Sequence, residues 1–293
     1  MDGVLLIDKP AGLTSHDVVA WARRRLRQRS IGHTGTLDPM ATGLLVLVLG
    51  QATRLSSLLT GKDKTYAAEV RLGFGTDTDD AEGAPLGETA GLLPEAETVR
   101  QALGHFVGTF DQVPPAHSAK KVAGSPAYRL ARTGRPVDLR PSRVTLRSID
   151  WHGLDGDRVR FGLTVSAGFY VRALARDLGE RLGSGGHLSA LRRLASGSFQ
   201  VGDAVSIDAV ETGAADLAAG LIRPAEAIPE VPGVGLTEEG LRRIRHGNPV
   251  PSPAGTNHGL LEPPLFKVLE PGGGLVALAR LDAGLLHPVA VLG

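Results

Sequence analysis

Apolar positions along the chain alternate between short continuous runs and helical spacing. The opening VLLI reads as a buried strand followed by the turn DKPAG. Thr14 with Asp17 three positions later has the form of a capping box and predicts a helix to about residue 29. Val18, Val19, Ala22 and Leu26 lie on one face of it, and the arginines largely on the other. The stretch 64-KTYAAEVRLG-73 predicts a strand and 98-TVRQALGHF-106 a short helix. VTLRSIDWHG and RVRFGLTVSAG, joined by LDGD, predict a hairpin. In 169-FYVRALARDLGERLG-183 the spacing is helical and the closing Gly is a C-terminal stop signal. LSALRRL, after Gly185-Gly186, reads as a second short helix. Beyond 229-PEVPGVG-235, read as a linker, come one helix, LTEEGLRRIRHG, and strands around LFKVLE, LVALARL and VAVL.

The segment 32-GHTGTLDPMATGLLVLVLG-50 departs from this alternation. It places one carboxylate, Asp38, in a loop of Gly, Thr and Pro and then runs into unbroken apolar sequence. Such a loop lets backbone approach a ligand closely, and the apolar run anchors it in a core. A rigidly mounted acid is the expectation. From about 111 to 142 the chain is rich in Pro, Ser, Lys and Arg, which predicts an excursion carrying a short helix near YRLAR.

Composition narrows the chemistry. With 293 residues, 42% of them hydrophobic, a sizeable core is available, and no apolar run approaches the roughly 18 residues of a membrane span. The start MDGVLLIDKPAG has neither a basic region nor a cleavage pattern, so a cytoplasmic protein is expected. The absence of cysteine excludes disulfides, thiolate metal sites and cysteine nucleophiles. Lys and Arg number 32 against 31 Asp and Glu, yet basic residues cluster in 23-RRRLRQR-29, 129-RLARTGRPVDLRPSRVTLR-147, 192-RR-193 and 242-RRIRH-246. Converging basic segments can bind phosphates at near-zero net charge, and solvated helix faces are the alternative.

Common nucleotide and hydrolase motifs fail. Gly61-Lys62 is followed by Asp63 rather than Ser or Thr, and 73-GFGTDT-78 lacks a third glycine. The acidic run 77-DTDDAEG-83 has Ala81 and Glu82 where a calcium loop needs a ligand and then Gly. There is no H-E-x-x-H and no G-x-S-x-G. No metal or cofactor is expected.

What survives is Asp38 in its loop. GHTGTLDPMATGLLVLVLGQATR resembles the catalytic motif of the TruB family of tRNA pseudouridine synthases, which isomerise the uridine at position fifty-five in the T-loop. GVLLIDKPAGLTSHD, KTYAAEVRLGFGTDTDDAEG, the SAKKVAG and AYRLARTG stretch, and GFYVRALARDLGERLGSGGHLSALRRL follow in the family's order. The similarity spans about residues 3 to 200 and weakens beyond.

The resemblance implies an α+β pseudouridine synthase fold: a mixed, mainly antiparallel sheet with flanking helices and a catalytic loop in a central cleft. Residues 1–228 would form the catalytic domain, with an RNA-clasping insertion at about 111–142, and residues 229–293 a small PUA-like β module. It also implies Asp38 as nucleophile, Arg172 as the cation beside it, and Tyr66 against the base, placed to take the C5 proton. Tyr170 and Leu191 would line the pocket, and His33 would fill the space vacated by the flipped base. Lys9 and Lys121 would bind the substrate RNA. The insertion departs from the family at His117 and Lys120, where tyrosine and an apolar residue are usual. The implied partner is the T-arm stem-loop of tRNA, with the protein a monomer needing no protein partner.

A carboxylate suits this reaction, since it can attack an electron-poor sugar carbon or add to the base at C6, and the residues leave both routes open. A non-catalytic tRNA-binding or folding protein on the same scaffold is the rival reading. A nucleoside hydrolase and a guide-RNA-dependent synthase are others.

Overall fold

The run Leu44–Leu49 has no polar interruption because both of its faces are buried. In the computed structural model Leu45, Leu47 and Leu49 pack on one side with Leu5, Ile7, Val18, Val19 and Leu174. Leu44, Val46 and Val48 pack on the other with Val4, Leu6, Leu55, Ile228 and Leu278. The structure describes residues 1–88, 91–118, 120–122, 125–126, 139–253, 256 and 264–292, with backbone only at 121–122 and 125–126.

Strands are β1 (Gly3–Lys9), β2 (Ile31–His33), β3 (Thr42–Leu49), β4 (Lys64–Leu72), the short pair β5 (Gly75–Thr76) and β6 (Pro85–Leu86), and β7 (Gly108–Gln112). After the short pair β8 (Lys121–Val122) and β9 (Ser125–Pro126) come β10 (Ser142–Asp155), β11 (Arg158–Val165), β12 (Gly186–Ser196), β13 (Phe199–Gln200) and β14 (Val205–Ser206). Among the described residues ten strands form one mixed sheet, in the order β14-β1-β3-β12-β4-β11-β10-β7, with β2 on β3 and β13 on β12. The helices of this part are α1 (Ser15–Leu26), α2 (Ser56–Thr60), α3 (Ala96–Gly104), α4 (Val171–Leu182) and α5 (Ile207–Glu211).

The expected capping box is present: the Asp17 amide donates to the Thr14 hydroxyl, and the Thr14 amide donates to the Asp17 carboxylate. Helix α4 ends on Gly183 in the left-handed conformation, as its sequence predicts. The hairpin is β10–β11, antiparallel and kinked at two register shifts.

One element is not what its spacing predicts. LSALRRL is not a helix but part of β12, the strand between β3 and β4 at the centre of the sheet. Leucines three apart fit either element in so short a run, and here pairing decides: β12 lies antiparallel to β4 from Gly186 to Ser196 and meets β3 in parallel at Arg192 and Arg193. The glycines before it serve a close approach. A Cβ on Gly179 of α4 would stand 2.1 Å from the Gly186 nitrogen, so helix and strand meet backbone to backbone.

A second sheet of five strands follows, β15 (Gly233–Gly235), β16 (Val250–Pro251), β17 (Leu265–Leu269), β18 (Leu275–Asp282) and β19 (Leu285–Val291), with α6 (Glu238–Arg245) against it. Leu241, Ile244, Phe266, Val268, Ala277 and Leu286 form its own core. Leu265, Leu278 and Leu292 join the apolar layer behind β1 and β3. The segment read as a linker is packed rather than slack: Val231 is buried in that layer, and 233–235 pairs with β17. The helix expected near YRLAR lies outside the described residues. Among the described residues no helix is long and apolar enough to cross a membrane.

Candidate active site

The loop 34–41 crosses the end of the sheet and is pinned from below. Across β1, β3 and β12 the register sets Lys9, Gly43 and Arg193 side by side. Gly43 has φ +95°, and a Cβ there would meet the Arg193 carbonyl oxygen at 2.3 Å, so the row closes only with glycine. Lys9 is fully buried and donates to the carbonyls of Pro10, Leu13 and Pro39. Ser15 Oγ accepts from the Leu37 amide and donates to the Leu37 carbonyl. Arg193 Nη2 donates to the Gly35 carbonyl. The loop that carries Asp38 is therefore fixed at residues 35, 37 and 39, as its sequence leads one to expect.

Arg172, in the first turn of α4, meets Asp38 with two hydrogen bonds, Nε to Oδ2 at 2.9 Å and Nη2 to Oδ1 at 3.0 Å. The arginine side chain is 5% exposed and the aspartate 31%, so the cation lies beneath and the carboxylate faces open space. Such a bidentate pair fixes direction as well as charge. Arg172 has further partners: the carbonyls of Thr78 and His117, each at 2.9 Å, and Asp80 Oδ2 at 3.5 Å. The acidic run that fails as a calcium loop thus helps hold this guanidinium. Nothing in its composition points to that role, which depends on the loop folding back over α4. Gln112 also goes unnoticed in the sequence. Its amide brackets the Tyr170 backbone, donating to the carbonyl at 3.1 Å and accepting from the nitrogen at 2.9 Å, and so sets where α4 begins.

A cavity of about 310 Å³ opens over Asp38, at the small end of the range typical of ligand sites. Asp38, Tyr66, Tyr170, Arg172 and Leu191 all line it, together with His117, Ser118, Lys64 and Arg193. Tyr66 comes from β4 and Leu191 from β12. Burial raises the Tyr170 hydroxyl above its ordinary pKa, with the Ser118 hydroxyl opposing. Tyr66 lines the cavity, and among the described residues its hydroxyl has no hydrogen-bond partner.

Lys9 and His33 stand outside the cavity wall. With its ammonium enclosed by three carbonyls, Lys9 supports the loop from behind. Burial pulls its pKa down to about 8, against the attraction of Asp38. His33 ends β2 beside the cavity rather than in its wall, and its Nδ1 accepts from the Gly35 amide at 3.4 Å. Burial, then His16 and Arg193, hold it below the usual histidine range, which favours the neutral ring. Lys121 lies in β8, where its side chain is outside the described residues.

A carboxylate facing a small cavity, with a buried bidentate arginine behind it and two tyrosines around it, suits nucleophilic chemistry on a bound molecule. The family comparison agrees. The description TruB family pseudouridylate synthase (N terminal domain) matches residues 23–171, and tRNA pseudouridylate synthase B C-terminal domain matches 172–229. The chain belongs to the TruB family of pseudouridylate synthases. Relatives within it include the tRNA pseudouridine synthase B of Dechloromonas aromatica, 44% identical over 96% of this chain and 95% of that one. That of Aromatoleum aromaticum is 49% identical over 78% of this chain and 74% of its own. Among solved structures, a chain of a Cbf5-Nop10-Gar1 complex superposes with a TM-score of 0.74 at 25% identity, covering 99% of this TruB-family chain and 85% of the other.

Proposed function

We propose that the protein isomerises the uridine at position fifty-five in the T-loop of tRNA to pseudouridine, working in the cytoplasm as a monomer without a protein partner. The observation that carries the chemistry is the partly exposed Asp38 carboxylate locked onto buried Arg172. The names of the relatives support the substrate.

In this reading the target nucleotide is flipped out of the folded loop, at a cost of roughly a few kcal/mol, and its base enters between Tyr66, Tyr170 and Leu191. His33, next to the cavity, fills the space the base leaves. Asp38 attacks at C1′ or at C6, and the N1 to C1′ bond breaks. The base turns, C5 joins C1′, and the bond made to Asp38 breaks, its electrons returning to the carboxylate. Tyr66 takes the C5 proton and N1 gains one, so atoms and electrons balance without water or a redox partner. The rival on the same scaffold, a protein that only binds or folds tRNA, has no use for a nucleophile so placed.

Residues 1–228 would be the catalytic unit and 229–293 an appended RNA-binding module of PUA type. The separate core of the second sheet and the end of the family match at residue 229 support that division. The insertion at about 111–142, with Lys121, would clasp the RNA.

The deciding experiment is incubation with unmodified tRNA followed by mapping of pseudouridine and chromatography of small products. Conversion at the T-loop uridine without free uracil is expected. Release of uracil would indicate a hydrolase, and binding without conversion a folding protein.

The basic end of α1 gives a second test. Arg23 Nη2 is tied to the Ile31 carbonyl at 2.6 Å, whereas Arg24 and Arg27 are exposed. Changing Arg24 and Arg27 to Gln should weaken tRNA binding and flatten the plot of log affinity against log salt by roughly 0.7 to 0.9 per lost phosphate contact. An unchanged slope would mean a solvated helix face.

A further inference from the structure

Two cations in the cavity wall form no salt bridge among the described residues. Lys64 and Arg193 both line the space over Asp38, and both are buried, at 7% and 2% exposure. The antiparallel register sets Arg193 opposite Tyr66, and Lys64 lies two residues before Tyr66 on the same face of β4. Leu191 and Arg193 likewise share a face of β12, so a strand at this position, rather than the helix its spacing predicts, presents both to one cavity.

Their hydrogen bonds all run to backbone carbonyls. Lys64 Nζ donates to Thr60 and Lys62, while Arg193 donates through Nε to Leu44 at 2.6 Å and through Nη2 to Gly35 at 3.1 Å. Among the described residues no carboxylate lies within 4.0 Å of either, in contrast to Arg172 with Asp38 and Asp80. Nη1 of Arg193 has no hydrogen bond among the described residues. It stands 3.3 Å from where a Cβ on Gly35 would be, so the glycine leaves that edge of the guanidinium uncovered. Burial first, and then the repulsion of Arg193, draw the Lys64 ammonium down to about 8, against the attraction of Asp63. Like charges desolvated together weaken a fold unless a counter-charge arrives to offset them.

We propose that Lys64 and Arg193 form an anion subsite that holds a backbone phosphodiester flanking the target uridine. The inference rests on the tRNA reading above. Uracil is neutral and the ribose is neutral, so the phosphates are the only anions that the nucleotide brings into the cavity. A guanidinium edge beside an ammonium matches the two non-bridging oxygens of a phosphodiester. Drawing that phosphate to the β4–β12 wall also keeps its charge off the Asp38 carboxylate and turns the sugar carbon toward it. Both residues are thus positioning residues, acting on where the ribose lies.

The test uses the full-length protein and a T-arm stem-loop RNA carrying one uncharged methylphosphonate, placed either 5′ or 3′ of the target uridine. At one of the two positions wild type should lose roughly tenfold or more in affinity. Arg193→Gln should show a similar loss on the all-phosphate RNA, with no more than about a twofold further loss on that methylphosphonate. Lys64→Met, checked like Arg193→Gln for an unchanged melting profile, provides a second cycle. A purely structural role would make protein and RNA changes multiply at both positions, and that result, or a wild type indifferent to both methylphosphonates, would overturn the subsite. If wild type fails to convert the all-phosphate stem-loop, it is the tRNA reading that falls. Conversion with multiplying losses removes the subsite alone.

Discussion

Asp38→Asn is expected to abolish pseudouridine formation, a loss of at least about 10⁴-fold, while tRNA affinity stays within about tenfold. The asymmetry follows from the geometry. Asparagine has the size of aspartate and keeps one oxygen for Arg172, but it cannot serve as the nucleophile. The loop cannot carry another acid into place, because Lys9, Ser15 and Arg193 fix it on either side of residue 38. On the proposed reading, binding would be spread over phosphate and stacking contacts that this change does not touch. Single-turnover conversion on saturating tRNA, with affinity measured in parallel, is the check. Substantial turnover by the variant would remove Asp38 from the mechanism.

Tyr66 yields the second large effect because two roles meet in one side chain. Its ring belongs to the cavity wall and its hydroxyl is without a partner among the described residues. If the hydroxyl takes the C5 proton, Tyr66→Phe should bind tRNA normally and slow single-turnover conversion by roughly 100- to 10,000-fold, the usual loss for a missing general base. Tyr66→Leu should weaken binding as well, since it also removes the aromatic face. A Phe variant within about threefold of wild type would leave stacking as the residue's whole contribution.

How far the site could be read in advance depended on whether its parts were local. The Thr14 cap, the Gly183 stop and the anchoring run after Asp38 are contained in a few consecutive residues, and each is found in the structure. The family motifs brought in Asp38, Tyr66, Tyr170, Arg172 and Leu191, which do converge on one cavity. The resemblance gives Lys9 to the substrate, and only the fold reveals three carbonyls closing over it, since Pro39 lies thirty residues away in the chain. Asp80 and Gln112 act through long-range contacts, with Arg172 and with the start of α4, that leave no trace in local pattern. LSALRRL failed for a related reason: its neighbours in space, not its periodicity, make it a strand.

The contact of Gly179 with Gly186 puts part of the enzyme's chemistry under remote control. Arg172 sits at one end of α4 and Gly179 seven residues along it, roughly 10 Å away at the helical rise. A rigid helix resting on that bare backbone crossing would pass a shift there to its other end, as a lever does about its fulcrum. A methyl group inserted at the fulcrum would lift one arm and swing the guanidinium away from Asp38, with every residue that touches substrate unchanged. A variant of this kind would look harmless in any survey confined to the cavity, so a record of which TruB-family chains remain active has to extend to a glycine outside the cavity wall.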